Sequence, residues 1–411
     1  MAEPDAASAS AGAGALLRWL LSPAGLRDPY RVHREIRAAA DAGRPPRRVL
    51  FRYGDVRAAL QDRELRADRV SAILRPLPPP ARAEAALLER TLRDIVVFRD
   101  PPAHRRLRHL LARAFTPAVV ERAGPAIAAE TDRLLDALDI GGVMDLHRDL
   151  TYPLPAIVVA ALLGVPAADR DAFRAWARDL VLVVGSGALT PAAARRAAAG
   201  AARMRGLVAR LAAERAADPG PDLLSAMIEA TGDGDRLTPA ELAANALFLM
   251  TAGHETATNM LSNGVLTLLR HPGRRELLAG DPSLLAGAAE EMLRYESPVQ
   301  IAARVADRDR ELCGLELKAG DPVVLLLGAA NRDPDAFPDP DRFDITRSPN
   351  PHLAFSHGAH FCLGAALARA EAAVVLPRLL ERFPQLRLAE DDVPWQPTLD
   401  FRGPERLLVR R

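Results

Sequence analysis

The run His352-Leu-Ala-Phe355-Ser-His-Gly358-Ala-His360-Phe-Cys362-Leu-Gly364 joins two dissimilar stretches of the chain. Before it, residues 331–353 are crowded with Pro, Asp and Asn and read as a long irregular loop, the kind that tends to be functional in a compact domain. After it, a helix-period pattern runs from about Leu363 to Phe383. A thiolate at Cys362 would face the free N–H groups and positive dipole end of that helix, which lower a cysteine pKa. Gly358 and Gly364 let the backbone turn tightly and approach a flat ligand closely. Taken alone, Cys362 reads first as a buried free thiol, the commonest fate of a single cysteine. A zinc site of His357, His360 and Cys362 is a further reading, without a partner cysteine or second cluster to support it.

Three other segments bear on this one. Thr238-Pro239-Ala240-Glu241 is a capping box with proline at the first helical position. No proline follows until Pro272, which allows about 32 helical residues, or roughly 48 Å of helix. A helix of that length crosses the body of a large domain. Its middle carries Ala252-Gly253-His254-Glu255-Thr256, although glycine costs about 1 kcal/mol relative to alanine in a helix interior. Gly253 would open space beside the helix for a diatomic ligand. Thr256 supplies a hydroxyl and Glu255 an ionisable group, suited to proton delivery. A hydroxyl bonded back to the carbonyl one turn earlier is the plainer account of the threonine.

A second helix start, Asp281-Pro282-Ser283, opens a segment that stops near Ser297 and carries Glu291 and Arg294 on one face, three residues apart. An isolated pair of this kind is usually an exposed ion pair worth little. Met292 and Leu293 beside it indicate a partly buried helix, so the pair reads as structural. The third segment is Asp100-Pro101-Pro102-Ala103-His104-Arg105-Arg106-Leu107-Arg108. His104 and Arg108, four apart, project from one helix face, and adjacent donors suit a pair of carboxylates. A solvated basic face is the alternative in so arginine-rich a chain.

The order Phe355, Gly358, His360, Cys362, Gly364 resembles the cysteine loop of the cytochrome P-450 superfamily in its soluble bacterial type. The other motifs fall in the family's order from about residue 50 to the strand near Leu407. The resemblance implies a b-type heme (iron protoporphyrin IX) with Cys362 as axial thiolate ligand of the iron and Phe355 packed against it. It also implies that the thiolate donates electrons toward O–O cleavage. Gly358, Gly364, Ala252 and Gly253 are implied to border the heme, and His104, Arg108, Arg304 and His360 to contact its propionates. Glu255 and Thr256 are implied to support protonation, with His254 at a variable position. Glu291 and Arg294 are implied to lock the core on the cysteine side. Carry-over suggests Phe248, Ala252, Gln300, Ile301 and Phe401 as substrate contacts, with residues 70–98 and 178–200 as lids over an apolar cavity.

The implied reaction is a monooxygenation, hydroxylation or epoxidation of an apolar small molecule, with a secondary-metabolite intermediate as the expected substrate. Electrons would come from NAD(P)H through a ferredoxin reductase and a ferredoxin docked near Arg105, Arg106, His109 and Arg113. A peroxide-driven peroxygenase competes, but that group typically lacks the Glu255–Thr256 type of pair. A non-catalytic heme module that senses or stores a ligand would not need a deep pocket with two lids.

The rest of the chain sets bounds. Its 411 residues carry 54 Lys+Arg against 53 Asp+Glu, a formal charge of +1, which leaves no global field to gather nucleic acid or an anionic membrane. Hydrophobic residues at 49% and charged residues at 26% describe a globular protein, not a disordered one. Two cysteines, Cys313 and Cys362, make no disulfide framework and point to a cytoplasmic setting. The acidic Met1–Gly14 is unlike a signal peptide, and the apolar run Tyr152–Ala168 is too short and proline-broken to span a membrane. Residues 1–14 are expected to be a disordered leader. Residues 15–411 are expected to form one monomeric, mainly α domain with small sheets near 48–54 and 311–327. Strands are expected at Val49–Tyr53 and Val323–Leu327, a hairpin at Glu311–Asp321, and helices at Val56–Leu60, Arg106–Phe115, Ala126–Leu138, residues 191–217 and from near Pro155.

Overall fold

The computed structural model describes residues 13–139, 141–184, 189–232, 235–398 and 400–411. Helices dominate, and the longest runs from Pro239 to Arg270. Its start is built as the sequence predicts: the Thr238 hydroxyl accepts from Glu241 N, and the Glu241 carboxylate accepts from Thr238 N. It ends before Pro272, whose ring cannot continue a helix. This central helix is packed by the helices Pro153–Leu162, Arg170–Val184 and Pro191–Ala217 along one side and by Leu285–Tyr295 and Ala365–Arg382 along another. It is therefore buried almost continuously from Glu241 to Leu268.

The β-structure gathers at one edge. Val49–Leu50 runs parallel to Pro322–Leu326, which is antiparallel to Ile301–Ala306, which is antiparallel in turn to Leu65–Arg66. The hairpin falls at Arg310–Leu312 and Leu315–Leu317, turning through Cys313 and Gly314, both at positive φ. The strand at residues 301–306 escapes a reading by pattern because its partner lies about twenty residues further on and its faces do not alternate cleanly. A separate apolar cluster of Leu16, Trp19, Val32, Ile36, Val49 and Ile301 fastens the N-terminal helices to this sheet.

Boundaries move in several places. The first strand is only Val49–Leu50, and Tyr53 already begins a helix that runs to Gln61. The helix expected from Ala126 starts at Pro117, where Thr116 accepts from Val119 N, and passes through Pro125. The helix expected near Pro155 begins at Pro153. The final helix is Ala365–Arg382. Of the expected leader, residues 1–12 lie outside the described residues, while Ala13 and Gly14 belong to the helix Ala13–Leu20. Gly185 and Gly187 of the second expected lid also lie outside them. Among the described residues no helix is long and apolar enough to cross a membrane.

Candidate active site

Cys362 lies on the short loop between a helical turn at Gly358–His360 and the final helix. Its backbone N–H donates to Phe355 O at 2.9 Å, closing the loop on itself. Gly358 sits at φ +71, and a Cβ there would come within 3.0 Å of Leu60 O, so this glycine serves both a tight turn and a close backbone approach. Gly364 has no such neighbour, so its side without a Cβ faces open space. Cys362 is exposed, yet burial is the largest influence on its thiol and raises its pKa. The Gly364 N–H and the charges of Arg108 and Arg369 act the other way, favouring thiolate. A sulfur that is accessible but deep faces an internal chamber rather than the outer surface.

The wall behind it is rigid. Arg369 holds its guanidinium 4.7 Å from the Phe355 ring centroid and makes two bonds, 2.7 and 2.8 Å, to Glu290. His352 bonds the same carboxylate at 3.1 Å. Despite burial, these partners hold Glu290 down at about 2. One residue on, Glu291 accepts two bonds from Arg294 at 2.7 and 2.8 Å, with both side chains fully buried. Arg294 also donates to the carbonyls of Asn331, Pro340 and Arg342. Asp344 N, Arg347 and Asn350 complete the shell around Glu291. The pair thus ties the irregular 331–353 loop to the helix Leu285–Tyr295.

Above the cysteine, imidazoles and guanidinium groups converge. His104 is buried, and its ring lies 4.1 Å from that of His360. Burial, and next the charge of Arg108, lowers the pKa of His104. Burial, with His104, Arg304, Arg108 and Arg69 nearby, pushes His360 down to about 3. Arg304, on the strand Ile301–Ala306, is buried and lowered to about 10, first by burial and then by Arg69. Both imidazoles are therefore neutral donors between cationic groups. Among the described residues, none of His104, Arg108, Arg304 and His360 has a carboxylate within the 4.0 Å of an ion pair. Buried charge without a counter-charge is costly. A ligand bringing two carboxylates to a flat body beside Cys362, as heme does, supplies what this set lacks, so the residues fit that group. If they hold it, the double variant His104→Ala, Arg108→Ala should purify with a much lower heme-to-protein ratio than the parent. Full occupancy would return this helix to a merely basic face.

The central helix supplies the other wall. Within its buried length, only Phe248, Leu249, Ala252, Gly253, Glu255 and Thr256 are partly accessible, a stripe repeating every three to four residues. Thr256 donates its hydroxyl hydrogen to Ala252 O at 2.5 Å, the local bond that the sequence also allowed. Its lone pairs remain as acceptors. Burial raises the pKa of Glu255, and a hydrogen bond with the Gln396 side chain partly offsets this. Gly253 corrects an expectation. A Cβ there would lie 2.8 Å from Val159 Cγ2, so the missing side chain lets the Pro153–Leu162 helix approach rather than opening room for a ligand. His254 is also turned that way, bonded to Tyr152 O at 3.0 Å.

Of the expected substrate contacts, Phe248 and Ala252 lie on the stripe, and Phe401 is partly exposed on the terminal segment bridged to Val299. Gln300 and Ile301 do not face the chamber. Gln300 donates to Ser297 O at 2.8 Å and packs against Gly328, where any Cβ would collide with it. Ile301 belongs to the N-terminal apolar cluster. Strand alternation explains the error: Arg304 points into the site, so Ala302 shares its face and Ile301 takes the opposite one. Arg106, expected in an open basic patch, instead pairs with Glu241 and Asp235. Arg105, His109 and Arg113 remain exposed. His357, one member of the conceivable zinc set, is turned toward Gln61 and Arg57. Sequence reading missed Glu290 and Arg369, because their pairing joins two helices 79 residues apart.

A helical body crossed by one long helix, with a cysteine loop opposite a stripe carrying an acid and an alcohol, defines a heme-thiolate fold. A model of the cytochrome P450 family matches residues 199–278 and 283–401. Cytochrome P450 107B1 of Saccharopolyspora erythraea is 43% identical over 367 residues, 88% of each chain. Vitamin D(3) 25-hydroxylase of Pseudonocardia autotrophica is 42% identical over 365 residues, covering 88% of this chain and 87% of that one. The crystal structure of P450BioI with an acyl carrier protein ligated to hexadec-9Z-enoic acid superimposes with a TM-score of 0.85 at 37% identity, covering 95% of this chain and all of the other. The chain belongs to the cytochrome P450 family and is a heme-thiolate monooxygenase.

Proposed function

We propose that Cys362 ligates the iron of a b-type heme whose propionates are held by His104, Arg108, Arg304 and His360. We further propose that the enzyme hydroxylates or epoxidises a bulky apolar molecule, a secondary-metabolite intermediate. The observation that carries this reading is the set of largely buried cationic and imidazole groups converging beside an accessible, deep cysteine with no ion-paired carboxylate among the described residues, Asp100 acting on His104 and Arg304 only through space. When bound, heme supplies the redox-active iron at which dioxygen is reduced. The chain's own residues do the rest. Arg108 and Arg369 favour the thiolate of Cys362, and the Gly364 N–H fixes where its charge lies. Phe248 and Ala252 give the chamber an apolar flank that keeps water from competing with an apolar substrate. Bulky apolar substrates are in keeping with the vitamin D(3) 25-hydroxylase among the relatives.

Glu255, raised by burial, carries a proton at a pH where an exposed glutamate has lost it. Thr256 offers lone pairs to an incoming hydroxyl donor while Ala252 O holds its own hydrogen. Together they form a short route for protons into the chamber. Thr256→Ala should retain heme but divert reducing equivalents to hydrogen peroxide, and coupling equal to the parent's would remove Thr256 from this role. The protonated form of Glu255 is the donor, so turnover should fall as pH rises through its elevated pKa. Glu255→Gln should abolish that limb of the pH–rate profile. Electrons reach the enzyme from NAD(P)H through a ferredoxin reductase and a ferredoxin, which docks over the exposed Arg105, His109 and Arg113. The setting is cytoplasmic and the enzyme a monomer. The test of the whole reading is turnover by a reconstituted ferredoxin system of apolar substrates that shift the heme spin state. Spectral binding without any oxygenated product would favour a ligand-binding module instead.

A further inference from the structure

We propose that Arg69 reads an anionic oxygen group, a carboxylate in the simplest case, on the apolar substrate of this site. The inference rests on the reading that His104, Arg108, Arg304 and His360 hold the heme propionates. Arg69 stands between the strand Leu65–Arg66 and the helix Val70–Leu74. Its segment is tied to the start of the His104 helix, because Ala67 N and Asp68 N both donate to the Asp100 carboxylate, at 2.8 and 3.3 Å. Its guanidinium lies over the Phe98 ring, 4.7 Å from the centroid, which restrains the side chain without using its N–H groups. Those groups are poorly used elsewhere. The polar contact of the Arg69 side chain among the described residues is Nη1 to Ala67 O at 3.5 Å, too long for a good hydrogen bond.

The position is deep, not peripheral. Burial is the largest influence on Arg69, and the side chain nevertheless keeps partial access, the same combination that places Cys362 on the internal chamber. Arg304 and His360 both feel its charge, which sets it beside the propionate-binding groups. Asp400, next to the partly exposed Phe401, also acts on its charge. Asp68 and Asp400 act on it through space, and among the described residues no carboxylate comes within the 4.0 Å of an ion pair with it.

Counting charges distinguishes Arg69 from the heme-binding set. Two propionates bring two negative charges. Arg108 and Arg304 match them, with His104 and His360 as neutral donors, while the Asp100 carboxylate, already held by Ala67 N and Asp68 N, acts on His104 and Arg304 only through space. Arg69 is a third guanidinium, always charged, lying over an aromatic ring with its fork making only a long contact to Ala67 O. A bidentate carboxylate on a substrate lying along the Phe248–Ala252 flank would satisfy it.

The test is a spin-state titration of the heme-loaded protein with tetradecanoate and with its methyl ester, which differ in charge but little in apolar area. The parent should bind the acid about tenfold or more tightly than the ester, the range for a charge-assisted bond. Arg69→Gln should bind both alike with an unchanged heme-to-protein ratio, and Arg69→Lys should keep part of the preference. Equal binding of acid and ester by the parent, or a preference that survives Arg69→Gln, overturns the proposal. Loss of heme in Arg69→Gln also overturns it, by making Arg69 a propionate ligand. Heme content of the parent itself reports separately on the underlying site, so the two readings fail in different measurements.

Discussion

Cys362→Ala should fold, keep part of its heme and lose monooxygenation altogether, with no red-shifted ferrous–carbonyl band. The fold should survive because the cysteine is accessible, so its truncation opens no cavity inside a packed core. Part of the heme should remain because His104, Arg108, Arg304 and His360 are untouched. The reaction should vanish because no other sulfur can take over. Cys313 lies in the turn of the Arg310–Leu317 hairpin at φ 49, and burial with Asp55 nearby pushes its thiol up to about 11. A thiol so weakly acidic at the outer edge of the protein is inert. Cys362→Ser provides the conservative control, keeping the size but not the soft thiolate. A normal carbonyl spectrum in either variant would remove Cys362 from the iron.

Arg294→Leu should be severely destabilising, and the damage should be to folding rather than to chemistry. The side chain is fully buried and satisfies both oxygens of Glu291 and three backbone carbonyls of the 331–353 loop. Removing one partner of a buried pair typically costs 3–5 kcal/mol, about the whole stability of a marginal domain. Each carbonyl left without a donor adds about 1–3 kcal/mol. Arg347 stays near Glu291 at 3.3 Å and softens the loss without restoring the bidentate fork. Soluble yield and heme incorporation should collapse together, and Arg294→Lys should not rescue them, since a point charge cannot span five acceptors. A thermal midpoint close to the parent's would show that the pair is dispensable.

These two residues also mark how far local reading reaches. Cys362, Glu291 and Arg294 announce themselves in short motifs, and the central helix announces both its ends through a capping box and a proline. Each signal is local in the chain, where the physics is also local: dihedral restriction, orphan donors, a dipole. Gln300 and Ile301 failed as substrate contacts, and Gly253 as an opening for a ligand, for the opposite reason. Their roles depend on which side of a strand or helix meets which neighbour, and one step along a strand reverses the answer. Glu290, Arg369 and Arg69 carry no motif at all. They matter because distant segments bring Glu290 and Arg369 together behind the cysteine loop and Arg69 near Arg304 and His360.

Family and the long helix followed from residue order alone, and so did the proposal that Cys362 is the ligand, because turns, caps and loop chemistry act over a few neighbours. The lining of the chamber, the partners of Glu255 and Thr256, and the surroundings of Arg69 emerged only on packing, because burial and Coulomb fields depend on distance through space and not on separation along the chain.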